Sequence, residues 1–242
     1  DPITPPGFEM LIGNFSLGIA GMLGALLGYL GIGPIVAAIT NVLGNGVSWL
    51  VDNSLLPLAS VLIEPAKILF MNNAINHGVL GPLGVVEAEE TGESILFMLE
   101  TNPGPGLGIL IAFWLAGPKL LRGSAPGAII IHFFGGIHEI YFPYVLMKPQ
   151  VVLGAIVGGA VGVATFMVTG VGLVATPSPG SIFAYMAVTP SGNHLGVLLG
   201  IALSAAASFV VSWFILKLSK VDASEADFEA AKTRSKEMKA GK

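Results

Sequence analysis

Residues 195–216 read LGVLLGIALSAAASFVVSWFIL, a run of 22 residues without a single charge. An α-helix needs about 20 predominantly apolar residues to cross the hydrocarbon core of a bilayer. Residues 10–32 and 151–174 form two further runs of this kind. A transmembrane β-barrel would instead show segments of about ten residues that alternate between apolar and polar. The runs therefore predict an all-α integral membrane protein.

The composition of the 242-residue chain supports this class. Apolar residues make up 53% and charged residues only 11%, which is less than half of the ~25% usual in soluble domains. Of the 26 charged residues, 11 lie in residues 218–242, so that 15 remain for residues 1–217. These are too few to cover a soluble globule. We expect a polytopic helical bundle with a charged tail in water, and Lys217 and Lys220 place that tail in the cytoplasm.

Other apolar stretches are interrupted. Residues 55–80, 94–117 and 127–146 contain asparagines, histidines, carboxylates, prolines and glycines. Broken helices at membrane depth must line a cavity or be buried in protein, so these stretches predict re-entrant hairpins beside about five full spans. Residues 33–53 mix polar and apolar positions and predict an amphipathic helix in the interface, with Trp49 at headgroup depth.

The first polar cluster at membrane depth contains Asn72, Asn73, Asn76 and His77. Asn73 and His77 are four residues apart and would share one face of a helix. Amide and imidazole groups both donate and accept hydrogen bonds, which suits a ligand with many hydroxyls. The alternative is that the cluster joins neighbouring helices by hydrogen bonds. Just before it, Glu64 and Lys67 are three residues apart and are predicted to form a structural ion pair.

The second cluster lies in residues 135–143, GGIHEIYFP, where two glycines and a proline break the helix. Glu139 is a carboxylate at membrane depth, and such residues usually mark a transport pathway or a site. It could instead pair with Lys67 or with a histidine. We expect a structural role for His132, whereas Glu100 could belong either to the site or to a helix end.

Several kinds of site are excluded or disfavoured. His138-Glu139 begins an HExxH zinc motif, but Phe142 occupies the position of the second histidine. We expect no metal and no cofactor. The chain has no cysteine, which excludes a phosphocysteine on it. No basic stripe with interleaved aromatic residues points to nucleic acid.

Four strings carry a resemblance to a known family. They are EPAKILFMNNAINHG at residues 64–78, NPGPG at 102–106, GGIHEIYFPYVLM at 135–147 and PSPGS at 177–181. In this order they resemble the sugar-transporting membrane (IIC) components of the bacterial phosphoenolpyruvate-dependent phosphotransferase system, and in particular its mannitol permeases. The GIHE string alone would be weak evidence. The resemblance covers nearly the whole chain, and it implies that the chain lacks roughly the N-terminal third of a permease.

The resemblance implies a division into three parts. Residues 1–53 would be the end of a scaffold region, with a transmembrane helix and an interfacial helix. Residues 54–217 would be the transport domain with re-entrant hairpins, and residues 218–242 a cytoplasmic linker. The permease would be a multi-pass protein of the bacterial inner membrane, and a homodimer when full length.

The resemblance also implies a reaction. Mannitol or a similar hexitol would bind from outside and be presented to a cytoplasmic IIB domain, whose phosphocysteine phosphorylates it. Glu139 would be the catalytic group, assisting removal of the hydroxyl proton. The substrate-binding residues would be Asn72, Asn73, Asn76, His77, Glu100, Asn102, Gly136, Ile137, His138 and Glu139.

Two other functions stay open on the residues alone. A proton-coupled secondary transporter of a small polar solute would use Glu139 and the histidines as a proton relay. A membrane scaffold without transport would use the polar clusters only to hold helices together. Transport driven by a pH gradient would favour the first, and the absence of polyol binding the second.

Overall fold

The computed structural model describes residues 9–53, 55–218 and 225–240, whose regular structure is helical apart from one isolated bridge. The α-helices are α1 (Glu9–Gly31), α2 (Gly33–Asp52), α3 (Ser60–Ile68), α4 (Asn72–Ile75), α5 (Gly81–Thr91), α6 (Leu96–Leu99), α7 (Gly104–Ala116), α8 (Lys119–Ile129), α9 (Phe142–Met147), α10 (Val152–Thr169), α11 (Ile182–Ala187), α12 (His194–Leu218) and α13 (Glu225–Lys239). Short 3₁₀-helices (Leu56–Ala59, His138–Tyr141, Pro149–Val151) and π-helices (Asn76–Leu80, Ile130–Phe134) lie between them.

Three stretches in the described part are long and apolar enough to span a bilayer, namely Phe15–Ile35, Pro149–Thr169 and His194–Leu218. The all-α membrane class is therefore confirmed, with fewer uninterrupted spans than the five that the sequence suggests. The interrupted stretches form short helices instead. For example, α7 has 13 residues, which gives a length of about 20 Å against a hydrocarbon core of about 30 Å.

The chain divides into two compact units, residues 1–43 and residues 44–242. In the first unit, α1 exposes large apolar side chains, such as Leu17 (74% exposed) and Tyr29 (75% exposed). A helix with this surface needs apolar surroundings such as lipid. The three-part division expected from the resemblance stays a prediction.

In the second unit, α12 packs closely against both α7 and α10. Ser204, Ser208 and Ser212 are fully buried along one face of α12 and lie against glycines of the two other helices. Ser208 Oγ donates a hydrogen bond of 2.7 Å to the carbonyl oxygen of Pro105. Small residues let helix backbones approach closely in membranes, so this serine face is the centre of a three-helix core.

Gly158 of α10 tests this core. A Cβ atom at this position would lie 2.6 Å from Ser208 Cβ and 2.8 Å from the carbonyl oxygen of Ser204. We expect Gly158→Ala to destabilise the protein by about 1–3 kcal/mol, because overpacked cores must shift. The measurement is thermal unfolding in detergent.

The matched control is Gly123→Ala on α8, where an added Cβ would meet no atom within 4 Å. In a helix this change should be neutral or stabilising by up to about 1 kcal/mol. If Gly158→Ala unfolds at or above the wild-type temperature, the close packing of α10 on α12 is wrong.

Two contacts bring segments together that are distant in the sequence. Ser94 and Leu173 form the isolated antiparallel bridge, in which each N–H donates to the other residue's carbonyl oxygen, at 2.8 and 3.1 Å. The Tyr185 hydroxyl lies 2.6 Å from Thr101 Oγ1. These contacts hold the segment after α10, together with α11, beside the residues on either side of α6.

Candidate functional site

A polar cavity of about 130 Å³ lies where four broken segments meet. The segments are α4 with the following π-helix, the end of α6, the break after the second π-helix and the loop before α11. The lining residues are Asn72, Asn73, Asn76, His77, Glu100, Thr101, Gly136, His138, Glu139, Thr176, Pro177, Ser178, Pro179 and Gly180. Carboxylate, amide, imidazole and hydroxyl groups thus converge on one small volume.

The structure brings together eight of the ten substrate-binding residues predicted from the sequence. These are Asn72, Asn73, Asn76, His77, Glu100, Gly136, His138 and Glu139. They come from segments up to about 70 residues apart in the sequence, and the sequence alone gives no direct measure of their proximity.

Asn102 and Ile137 lie outside the lining of this cavity. Asn102 is 1% exposed. Its Oδ1 accepts a hydrogen bond of 2.9 Å from the N–H of Gly104, and its Nδ2 donates one of 3.1 Å to Ser204 Oγ. The carboxamide is therefore used at the start of α7, where free N–H groups need acceptors. Ile137 is 50% exposed and lines a neighbouring cavity instead.

The asparagine cluster departs from a simple α-helix. Asn76 begins a π-helix that ends at Leu80, directly after the single turn of α4. A second π-helix, Ile130–Phe134, precedes the break at Gly136. A π-turn carries an additional residue compared with an α-turn, and such turns often occur at functional sites. Asn72 and Asn73 of α4 line the same cavity as Asn76 and His77 of the π-helix.

Two glycines let the broken segments touch. Gly136 has φ +74°, and a Cβ there would lie 2.6 Å from the backbone nitrogen of Ser181. A Cβ at Gly180 would lie 2.8 Å from His138 Nε2. His138 Nε2 donates a hydrogen bond of 3.1 Å to the carbonyl oxygen of Gly180. His138 therefore lines the cavity and also fixes the loop that closes it.

Glu139 lies at the edge of the cavity and keeps 27% of its side chain exposed. Its partner is Lys239 of α13, whose Nζ lies 3.4 Å from Glu139 Oε1. The sequence suggested Lys67 or a histidine as a structural partner, and the structure shows an ion pair with the tail helix instead. The two residues are 100 positions apart, so no local pattern links them.

Glu64 and Lys67 form an ion pair inside the protein, and neither residue lines the cavity. Both side chains are 1% exposed, and Lys67 Nζ lies 3.3 Å from Glu64 Oε2. Glu100 is 6% exposed and feels the charges of Lys67, Glu64 and Glu139. Lys67 is therefore shared electrostatically by Glu64 and Glu100, whereas Glu139 has a second ammonium group, that of Lys239, as its ion-pair partner.

His132 is fully buried and outside the cavity lining. Its Nε2 donates a hydrogen bond of 2.8 Å to the carbonyl oxygen of Pro103, and its ring centroid lies 4.6 Å from that of His138. His132 therefore connects the start of α7 to the segment around His138.

Six lining residues were not among the predicted site residues: Thr101, Thr176, Pro177, Ser178, Pro179 and Gly180. The string at residues 177–181 contributed to the resemblance, but its chemistry alone gave no reason to place it at a ligand. A general signal was present, because prolines and glycines beside hydroxyl groups are typical of loops and loops often carry binding groups.

A second cavity of about 600 Å³ adjoins the first, and Glu139 lines both. Its walls come mainly from α8, α9 and α13, and include apolar side chains such as Ile131, Ile140 and Phe228. The hydroxyl groups of Ser124 and Tyr144, 2.8 Å apart, lie in the same wall. Glu139 is thus shared by a small polar cavity and a wider cavity that α13 helps to line.

Known proteins resemble the chain along almost its whole length. It is 57% identical over 236 residues, 98% of the chain, to the "PTS system mannitol-specific EIICB component" of Geobacillus stearothermophilus, of which it covers 50%. The corresponding protein of Bacillus subtilis strain 168 is 56% identical over 98% of the chain and 49% of that protein. The "PTS system mannitol-specific EIICBA component" of Escherichia coli K12 is 54% identical over 97% of the chain and 37% of that protein.

No family model and no solved structure matches the chain. The chain spans half or less of the length of these three curated relatives. Sequence identity above 50% over nearly the whole chain establishes common ancestry. Over nearly its whole length the chain is therefore homologous to part of these mannitol-specific components of the phosphotransferase system.

Proposed function

We propose that the chain is the membrane-embedded, sugar-alcohol-binding (IIC) part of a mannitol permease of the phosphotransferase system. It binds mannitol or a similar hexitol in the polar cavity and presents it to a phosphorylated IIB domain. The observation that carries this proposal is the convergence of eight sequence-predicted polar and glycine positions on one cavity. The relatives' names supply the solute class.

The chemistry of the cavity suits a linear hexitol. Such a ligand offers only hydroxyl groups, and each needs a donor or an acceptor when water is excluded. Asn72, Asn73, Asn76 and His77 supply both kinds of group, and Glu100 and Glu139 supply acceptors. A cavity of this size restricts the ligand to a small solute.

The proposed reaction moves a phosphoryl group from the phosphocysteine of the IIB domain to a terminal hydroxyl oxygen of the hexitol. The S–P bond breaks and the cysteine leaves as a thiolate, while a new O–P bond forms on the hexitol. Glu139 accepts the hydroxyl proton, so it is the proposed general base. Transport and phosphorylation are coupled because the product is an anion that cannot return through an apolar membrane.

The proposal also includes the membrane, the orientation of the chain and its partners. The chain lies in the bacterial inner membrane with α13 in the cytoplasm, since the basic residues around residues 217–242 favour that side. The intact permease is proposed to be a homodimer. The IIB domain approaches from the side of α13, where the wider cavity opens.

Binding of mannitol tests the site. Asn76 is 8% exposed and lines the cavity, so its removal should leave hexitol hydroxyls without partners. We expect Asn76→Ala to weaken mannitol binding by about 1–3 kcal/mol, or roughly 5- to 150-fold in Kd. Equilibrium binding of labelled mannitol to the purified protein measures this.

The matched control is Asn53→Ala, an exposed asparagine outside the cavity, which should leave Kd unchanged. Failure of the wild-type protein to bind any hexitol would contradict the proposed function. Uptake driven by a pH gradient without phosphorylation would favour the proton-coupled transporter instead.

A further inference from the structure

The second cavity has a basic wall. Lys232, Lys236 and Lys239 of α13 all line it, and their spacing of four and three residues places them along one face of the helix. The adjoining face of α13 is buried through Phe228 and Ala231, each 5% exposed. Phe228 packs against Tyr144 of α9, with ring centroids 5.6 Å apart. The lysines therefore lie at the edge of a docked helix and face a defined space.

The charge in this space is unbalanced. Among the described residues that line the cavity, Glu139 is the one carboxylate beside three lysines. Lys239 lies 3.4 Å from Glu139 and Lys232 lies 2.7 Å from Glu229 on the exposed side of α13. Lys236 also lines the cavity, where an anion would find a cationic partner. The wall as a whole favours an anionic group.

We propose that this lysine face receives the phosphoryl group carried by the partner domain and holds its oxyanion next to Glu139 during transfer. The inference rests on the proposed function and adds positioning residues to it. A lysine ammonium is a compact point charge that suits phosphate oxygens. Since Glu139 lines both cavities, the hexitol hydroxyl in the polar cavity and the phosphoryl group in the second cavity would meet beside it.

Lys239 couples the arrival of the phosphoryl group to the removal of the hydroxyl proton. Its Nζ lies close to Glu139 Oε1 at rest, and 63% of its side chain is exposed, so it is free to reorient toward an arriving anion. When it does, the carboxylate loses its cationic partner and becomes available to the hydroxyl proton. Lys239 thus pairs with the dianionic phosphoryl group, and Glu139 accepts the proton of the hexitol hydroxyl.

The test measures phosphorylation of mannitol by a phosphorylated IIB domain in membrane vesicles that contain the intact permease. Lys232→Gln combined with Lys236→Gln should lower kcat/KM for the phosphorylated domain by about tenfold and weaken its dependence on ionic strength, because steering by charge is screened by salt. Mannitol affinity reports separately on the polar cavity. Arginine at both positions should restore most of the rate, since the charge is kept.

Arg234→Gln is the matched control, because Arg234 lies on the same helix but outside the cavity lining. Its rate and salt dependence should equal those of the wild type. A double glutamine variant with wild-type kcat/KM would overturn the inference. So would a faster variant, which would show that α13 blocks access. If wild-type protein does not bind mannitol, the proposed function fails first, and that result is distinguishable because it precedes any phosphorylation.

Discussion

Replacement of Glu139 by glutamine is expected to lower the rate of mannitol phosphorylation by about 10²- to 10⁴-fold, the usual contribution of general acid–base catalysis. Glutamine keeps the size of the side chain and its hydrogen-bonding carbonyl, but it cannot accept the hydroxyl proton. Mannitol binding should therefore change much less than the rate. The measurement is single-turnover phosphorylation at saturating mannitol, alongside equilibrium binding.

The control for Glu139 is Glu90→Gln on α5, an exposed carboxylate outside both cavities. It should behave as the wild type in both assays. If Glu139→Gln retains phosphorylation within about tenfold, another group removes the proton. If binding and rate fall together, Glu139 acts as a ligand for the hexitol and its catalytic role is wrong.

Much of the membrane architecture follows from the sequence. The uncharged run at residues 195–216 lies within α12, and most of the run at 151–174 forms α10. The prediction works because apolar length is a direct physical requirement of a bilayer. The break at Gly136 could also be predicted from the sequence, because Gly135, Gly136 and the following Pro143 all disfavour a regular helix.

The details of the site were less accessible. The side-chain periodicity of Asn73 and His77 predicted an α-helix, whereas a π-helix begins at Asn76. π-turns depend on how neighbouring segments pack and have no strong local pattern. The ion pair between Glu139 and Lys239 joins residues 100 positions apart. A lysine in a charged tail gives no local reason to expect a partner in a broken membrane segment.

The buried ion pair of Glu64 and Lys67 leads to a second prediction with a large effect. Lys67→Met should destabilise the protein by about 3–5 kcal/mol, because it leaves the Glu64 carboxylate in the interior without a counter-charge. Both side chains are 1% exposed, so water cannot replace the missing ammonium group. Thermal or denaturant unfolding in detergent gives the measurement. An exposed pair, Lys232 with Glu229, supplies the control, and Lys232→Met should cost at most about 1 kcal/mol.

A second substitution shows which carboxylate depends on Lys67. If Glu64 is the main partner, Glu64→Gln should restore most of the stability lost in Lys67→Met, because removing both charges of a buried pair is often nearly neutral. Lys67 also interacts electrostatically with Glu100. If Glu100 is the main partner, Glu100→Gln should restore the lost stability instead. The 3.3 Å separation between Lys67 Nζ and Glu64 Oε2 favours Glu64. Equal and additive losses in all combinations would contradict the coupling, since independent sites add and interacting ones do not.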